Sequence, residues 1–246
     1  IGLLYGFFDQ YQKALTYHQE ALTIHRKIGD IKGEGGNLLN IGVVYSNLGQ
    51  YQKALSHYQK ALAIKKKIGD VKGEGDNLTA IGVIHDYLGQ YQKAFSYHQE
   101  SLTIFRKIGD IKGEGMALSN IGNVYSSLGQ YQKALTYHQE SLTISRKIGD
   151  VKSEGNSLNN ISNFYTNLGQ YQKALSHYQK ALAIYRKIGD LKGEGAVLTN
   201  IGLVYQNLGQ YDKALSYFQK ALAIEKKIGD VKGEGTVLGN IGNVYS

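Results

Sequence analysis

Nine residues, KIGDVKGEG at 67–75, gather three glycines, an aspartate and two lysines. The stretch occurs as KIGDIKGEG at 27–35 and 107–115, returns in similar form from Lys187 and Lys227, and reads KIGDVKSEG from Lys147. Residues of these types can cradle a phosphate or a cation, but the spacing suits neither. A P-loop needs GxxxxGK[ST], and a dinucleotide fingerprint needs GxGxxG after a strand. A calcium loop needs oxygen ligands where Val71 and Lys72 stand.

The seven histidines are the other residues able to do chemistry. His18, His98 and His138 recur at one position, while His57 and His177 exchange places with a neighbouring tyrosine. Packed helical units lie about 10 Å apart, too far for two imidazoles to share a metal without further ligands. Aromatic packing is therefore expected of them. There is no cysteine, no serine elbow and no pair of carboxylates in a pocket-forming context, so neither an enzyme nor a cofactor is expected.

What positions these residues is a repeat. Tyr11, Tyr51, Tyr91, Tyr131, Tyr171 and Tyr211 are each followed two residues later by Lys and then Ala, with no insertion between copies. A fixed period of 40 residues predicts a stacked array whose units bury their apolar faces only against neighbours. The expected division is one solenoid over 1–246. It holds a partial unit 1–30, units 31–70, 71–110, 111–150, 151–190 and 191–230, and a partial unit 231–246.

Each unit carries two helical patterns. In 71–110, Leu78, Ile81, His85 and Leu88 form one stripe, and Tyr91, Ala94, Phe95, His98, Leu102 and Ile108 form another. The spacing predicts antiparallel helices over 71–88 and 91–108, and likewise in every unit. There is no proline, where average usage near 5% would give about a dozen. Glycine must therefore end the helices. Gly89 and Gly109 are suited to a left-handed turn, and Asp110 to capping the next helix. Gly73 and Gly75 fall inside a helix at a cost of about 1 kcal/mol each relative to alanine. Their recurrence implies backbones of neighbouring units approaching too closely for a Cβ, so Gly115→Ala is expected to lower stability.

The run NLLNIGVVYSNLGQYQKALSHYQKALAI (37–64) resembles the tetratricopeptide repeat. Leu38, Ile41, Gly42, Tyr45, Gly49, Tyr51, Ala54, Tyr58 and Ala61 match its motif. The likeness covers the whole chain. Leu38 replaces the family's usual Trp, its helix-ending Pro is absent, and the unit is six residues longer than the common form. It is similar to the long-repeat subgroup of Pins-type adaptors, kinesin light chains and bacterial multi-repeat proteins. The resemblance implies an all-α, right-handed superhelical solenoid of antiparallel helix pairs, with a concave face lined mainly by the first helix of each pair.

A helix turns about 100° per residue, so the side of 71–88 opposite the core stripe is 76, 80, 83 and 87. Its equivalents vary most from copy to copy. Asn40, Asn120, Asn160, Asn200 and Asn240 form a ladder at one position, joined by Asn123, Asn156, Asn163, Asn167 and Asn207. Three readings stay open: drift of unconstrained exposed positions, a structural bond from asparagine to the adjacent helix, and a peptide groove, in which asparagine offers donors and an acceptor to the backbone of an extended peptide of any sequence. Apolar contacts are expected from Val83, Tyr87, Met116 and Leu203. The expected function is a protein- or peptide-binding scaffold. Family members that clamp acidic chaperone C-termini line this stripe with Lys and Arg. Here it has none, so such a tail is a poor ligand.

Two alternatives remain. One is a regulatory or sensor module of a longer bacterial protein, since the chain starts and stops part-way through helices without polar caps. The other is nucleic-acid binding, because the net charge is +8. The latter is disfavoured: the lysines lie on the second helix and the joint, as a solvated outer face. Apolar residues Ile1, Leu4 and Phe8 at one end and Leu238, Ile241 and Tyr245 at the other predict weak end-to-end self-association. The absence of cysteine, of a membrane-length apolar run and of a signal-peptide pattern points to a cytoplasmic protein without membrane partners.

Overall fold

The computed structural model describes the backbone of residues 2–245 and the side chains of residues 10–245. Among these there are twelve helices and no strand. They run α1 (Gly2–Ile28), α2 (Ile31–Asn47), α3 (Tyr51–Lys67), α4 (Val71–Tyr87), α5 (Tyr91–Ile108) and α6 (Ile111–Ser127). Then follow α7 (Tyr131–Ile148), α8 (Val151–Asn167), α9 (Tyr171–Ile188), α10 (Leu191–Asn207), α11 (Tyr211–Ile228) and α12 (Val231–Tyr245). The chain forms two compact units, Ile1–Leu128 and Gly129–Ser246. In each, consecutive helices pack pairwise and antiparallel, and first helices also touch, as α4 does α6 and α10 does α8 and α12.

Two kinds of break alternate: both turn on a left-handed glycine, but only the joint between units adds an aspartate cap, Gln90 making no side-chain cap bond. Gly89 and Gly109 take φ of +69° and +71°, the left-handed turn that glycine adopts without a Cβ penalty. Asp110 then accepts the Gly113 N–H at 2.9 Å and caps α6. Arg106 donates to Glu114 across the same joint at 2.8 Å, as Arg146 does to Glu154 and Arg186 to Glu194. Lys72 and Lys152 of the first helices reach the next joint's Asp110 and Asp190. Hydrogen bonds from the capped N–H groups and the neighbouring lysines hold both aspartates below the usual carboxylate range. For Asp110 the Lys72 bond is the larger cause, and for Asp190 the Gly193 N–H is. The repeated nine residues are thus a clamp between helices, and part of the positive charge is neutralised within it.

Three expectations need correction. The first turn does not form: α1 runs unbroken from Gly2 to Ile28, because Asp9 stands where later copies have the turn glycine. The buried face of α4 is wider than the expected stripe and includes Gly75, Asn77, Gly82 and Ile84, because the helix is covered on two sides. Ile108 is exposed, and the buried residue on that part of α5 is Phe105. At the far end Leu238 and Tyr245 are exposed and Ile241 is half-buried. Ile1, Leu4 and Phe8 lie outside the residues whose side chains are described.

The joint glycines do not serve contact between backbones. They are sockets for one side chain of the second helix. A Cβ at Gly113 would lie 2.5 Å from Cδ1 of Phe105, and one at Gly75 would lie 2.8 Å from its Cε1. Tyr185 sits in the same way between Gly155 and Gly193. Ridge residues normally fill grooves between helices; here a whole ring fills the seam between two first helices.

Candidate functional site

The asparagines divide into two groups. In the unit Ile1–Leu128, Asn40 and Asn120 stand at the ladder position on α2 and α6, with Ala80 between them in sequence. Neither forms a hydrogen bond to another described residue. Val43, Met116 and Tyr87 are exposed on the same stripe and Val83 is half-buried. Tyr87 stacks on Tyr51 with centroids 5.5 Å apart, so its ring is held in place.

In the unit Gly129–Ser246 several asparagines have internal roles. The Tyr178 hydroxyl donates to Asn163 Oδ1 at 2.5 Å, and the Tyr185 hydroxyl to Asn156 Oδ1 at 2.7 Å. Burial pushes both tyrosine pKa values up to about 12, so both remain donors at neutral pH. The Asn200 amide donates to Asn159 Oδ1 at 3.2 Å and Asn163 Oδ1 at 3.3 Å, linking α10 to α8. Asn160 is also engaged with another residue, as is Asn123 in the unit Ile1–Leu128. Asn167 and Asn207 are exposed and Asn240 half-buried, without hydrogen bonds to described residues. Leu203 is half-buried against the core cluster. An asparagine that fixes one neighbour still has further donors and acceptors to offer.

Among the described residues no three His or acidic side chains come together as metal ligands. His98 and His138 are core residues, each about 1% exposed, with Nδ1 buried and unpartnered. Desolvation lowers each pKa to about 4, so each packs as a neutral aromatic.

One variable series escapes a reading of single helices: His25, Lys65, Phe105, Ser145, Tyr185 and Glu225. Six copies hold six residue types, amid neighbours that hardly change. These are the side chains seated at the joints. His25 and Lys65 pair with Asp30 and Asp70 at 2.8 and 2.6 Å. The signal for them was present. The one small residue, Ser145, occurs in the copy whose socket glycine is replaced, by Ser153.

A family model described as tetratricopeptide repeat matches residues 1–67, 34–107, 113–192 and 193–246. No curated protein sequence matches the chain. Among solved structures, BtubC (BKLC) from P. vanneervenii aligns with a TM-score of 0.74 at 17% identity, over 89% of this chain and 92% of that one. A signal transduction ATPase with numerous domains, with a tetratricopeptide repeat sensor, from Pyrococcus horikoshii aligns at 0.73 and 22% identity. That match covers 90% of this chain and 34% of that one, so this chain spans about a third of its length. A Rap protein complexed with competence and sporulation factor aligns at 0.68 and 14% identity, over 98% and 72%.

Proposed function

Because the chain belongs to the tetratricopeptide repeat family, we propose that it is a scaffold that binds an extended segment of a partner protein along its first helices. The observation that carries this reading is the ladder: Asn40 and Asn120 present unused amides beside exposed Val43, Met116 and Tyr87. Amides that pair with a peptide backbone hold it without reading its sequence, and apolar side chains between them supply selectivity. The Rap protein with its bound factor gives the reading a precedent in a related fold.

Asn40→Ala combined with Asn120→Ala is expected to weaken binding of a captured partner by about ten-fold, at roughly 0.5–1.5 kcal/mol per lost hydrogen bond. The melting temperature should hardly move, because neither amide has an internal partner. Lys60→Ala with Lys93→Ala, on exposed positions of the second helices, should leave affinity unchanged. Titration calorimetry with the captured partner measures both. Sensitivity to the lysine pair but not the asparagine pair would move the site to the outer face.

A second reading has support from the Pyrococcus horikoshii protein, in which a tetratricopeptide repeat sensor is one part of a longer chain. In that reading the same face receives the signal and the effector lies elsewhere in the full-length protein.

A further inference from the structure

Between α10 and α12 lies a cleft of about 340 Å³, lined by Ala196 and Asn200 of α10, Lys232 and Thr236 of α12, and Glu225 and Asp230 from the joint. Ala196 and Asn200 belong to the stripe proposed to carry the peptide, so the cleft opens onto that stripe. Tyr185 occupies the equivalent seam between α8 and α10. Glutamate is shorter than tyrosine, and part of the seam is left open.

Glu225 lines this cleft at 7% exposure. Its carboxylate lies between Gly195 and Gly233; a Cβ at Gly233 would be 2.6 Å from Oε2. It forms no hydrogen bond or ion pair with any described residue. Desolvation, then the neighbouring Asp230, pushes its pKa up, against a smaller opposing pull from Lys192. A buried acid without a partner is costly.

The charge pattern around Glu225 is reversed relative to other joints. At the same position Lys65 gives its joint aspartate a cation, and His25 lies at hydrogen-bond distance from its own. Lys72 and Lys152 do so from the preceding first helix. Their counterpart Lys192 lines the cleft without an ion pair. Two carboxylates thus face one cleft, which Lys192 and Lys232 also line without ion-pairing to Glu225, in a joint built elsewhere around a paired carboxylate and cation.

We propose that this cleft is a specificity pocket for one basic side chain, lysine or arginine, of the extended segment bound along the stripe. The proposal rests on the peptide-binding reading above. The aliphatic stem passes Ala196 and Val237, and the cationic head reaches Glu225 and Asp230, giving a charge-assisted bond in a partly desolvated site.

The test uses the full chain and a degenerate library of unstructured peptides, with bound peptides sequenced. The parent should select lysine or arginine at one position by about ten-fold over methionine. Glu225→Gln should reduce that preference to near parity and leave other selected positions intact. Glu225→Tyr, which fills the cleft as Tyr185 fills its own, should do the same. The melting temperature of Glu225→Gln should equal or exceed the parent's. Selection without a basic preference, or a basic preference that survives both variants, overturns the pocket and leaves the peptide-binding reading standing. No selection by the parent overturns both. A clear fall in melting temperature for Glu225→Gln would mean that Lys192 or Lys232 is its partner in solution, and the pocket is then a structural ion pair.

Discussion

Gly193→Ser is expected to destabilise the parent chain by about 1–2 kcal/mol and to cost almost nothing once Tyr185 is also serine. A Cβ at Gly193 would lie 2.5 and 2.6 Å from Cδ1 and Cε1 of Tyr185. The ring cannot swing away easily. It is 3% exposed, its hydroxyl is tied to Asn156, and Gly155 lies against its other side. Overpacking of this kind costs about 1–3 kcal/mol, offset by roughly 0.5 kcal/mol of better helix propensity for serine. Tyr185→Ser alone leaves a cavity and should cost about 3–5 kcal/mol. The chain already contains the paired solution. Ser145 is buried and returns its hydroxyl to the Ser141 carbonyl at 2.8 Å, and Ser153 occupies the socket. A double-mutant cycle in denaturant therefore predicts favourable coupling of at least about 1 kcal/mol. Strictly additive costs would show that the glycine is incidental.

Acid is expected to loosen both units progressively as the pH falls from 6.5 toward 4. His98 and His138 have folded pKa values of about 4 against an ordinary 6.5, because burial disfavours the charged ring. Above pH 6.5 the ring is neutral in both states and its contribution is fully present. As the pH falls from 6.5 toward 4, the unfolded chain takes up the proton first, and stability is lost. The loss is on the order of 3 kcal/mol per histidine by pH 4. His98→Tyr with His138→Tyr should flatten this slope, since Tyr58 and Tyr178 fill the same position in other copies. Denaturation midpoints at pH 7 and pH 5 for parent and variant decide it. An equal shift in both proteins would assign the acid sensitivity to other groups.

Most of the fold was legible because each helix end is written in two or three residues. A glycine at fixed spacing defines each stop, and at every second break an aspartate one residue later adds a cap, without any knowledge of the neighbours. Where that local signal is altered, at Asp9, the helix changes with it. The width of the buried face was not legible, because a wheel drawn for one helix does not show that α4 is covered by α3 as well as by α5. The asparagine ladder shows a similar limit. Residue type identifies the donors and acceptors, but not whether they pair inside, as Asn156 and Asn163 do, or stay open, as Asn40 and Asn120 do. The seated series from His25 to Glu225 needed comparison between copies, and above all the match of Ser145 with Ser153.

Those sockets bear on how such an array changes length. A glycine seam accepts imidazole, ammonium, phenyl, phenol or carboxylate with the same backbone, so each copy meets its neighbours through a nearly universal coupling. Loss or gain of one whole copy leaves every remaining joint with a residue that its seam accommodates. The exception is the copy with Ser153, whose seam admits only a small side chain unless both residues travel together. Because they lie eight positions apart in one continuous stretch, an exchange that breaks the chain elsewhere moves them as a pair.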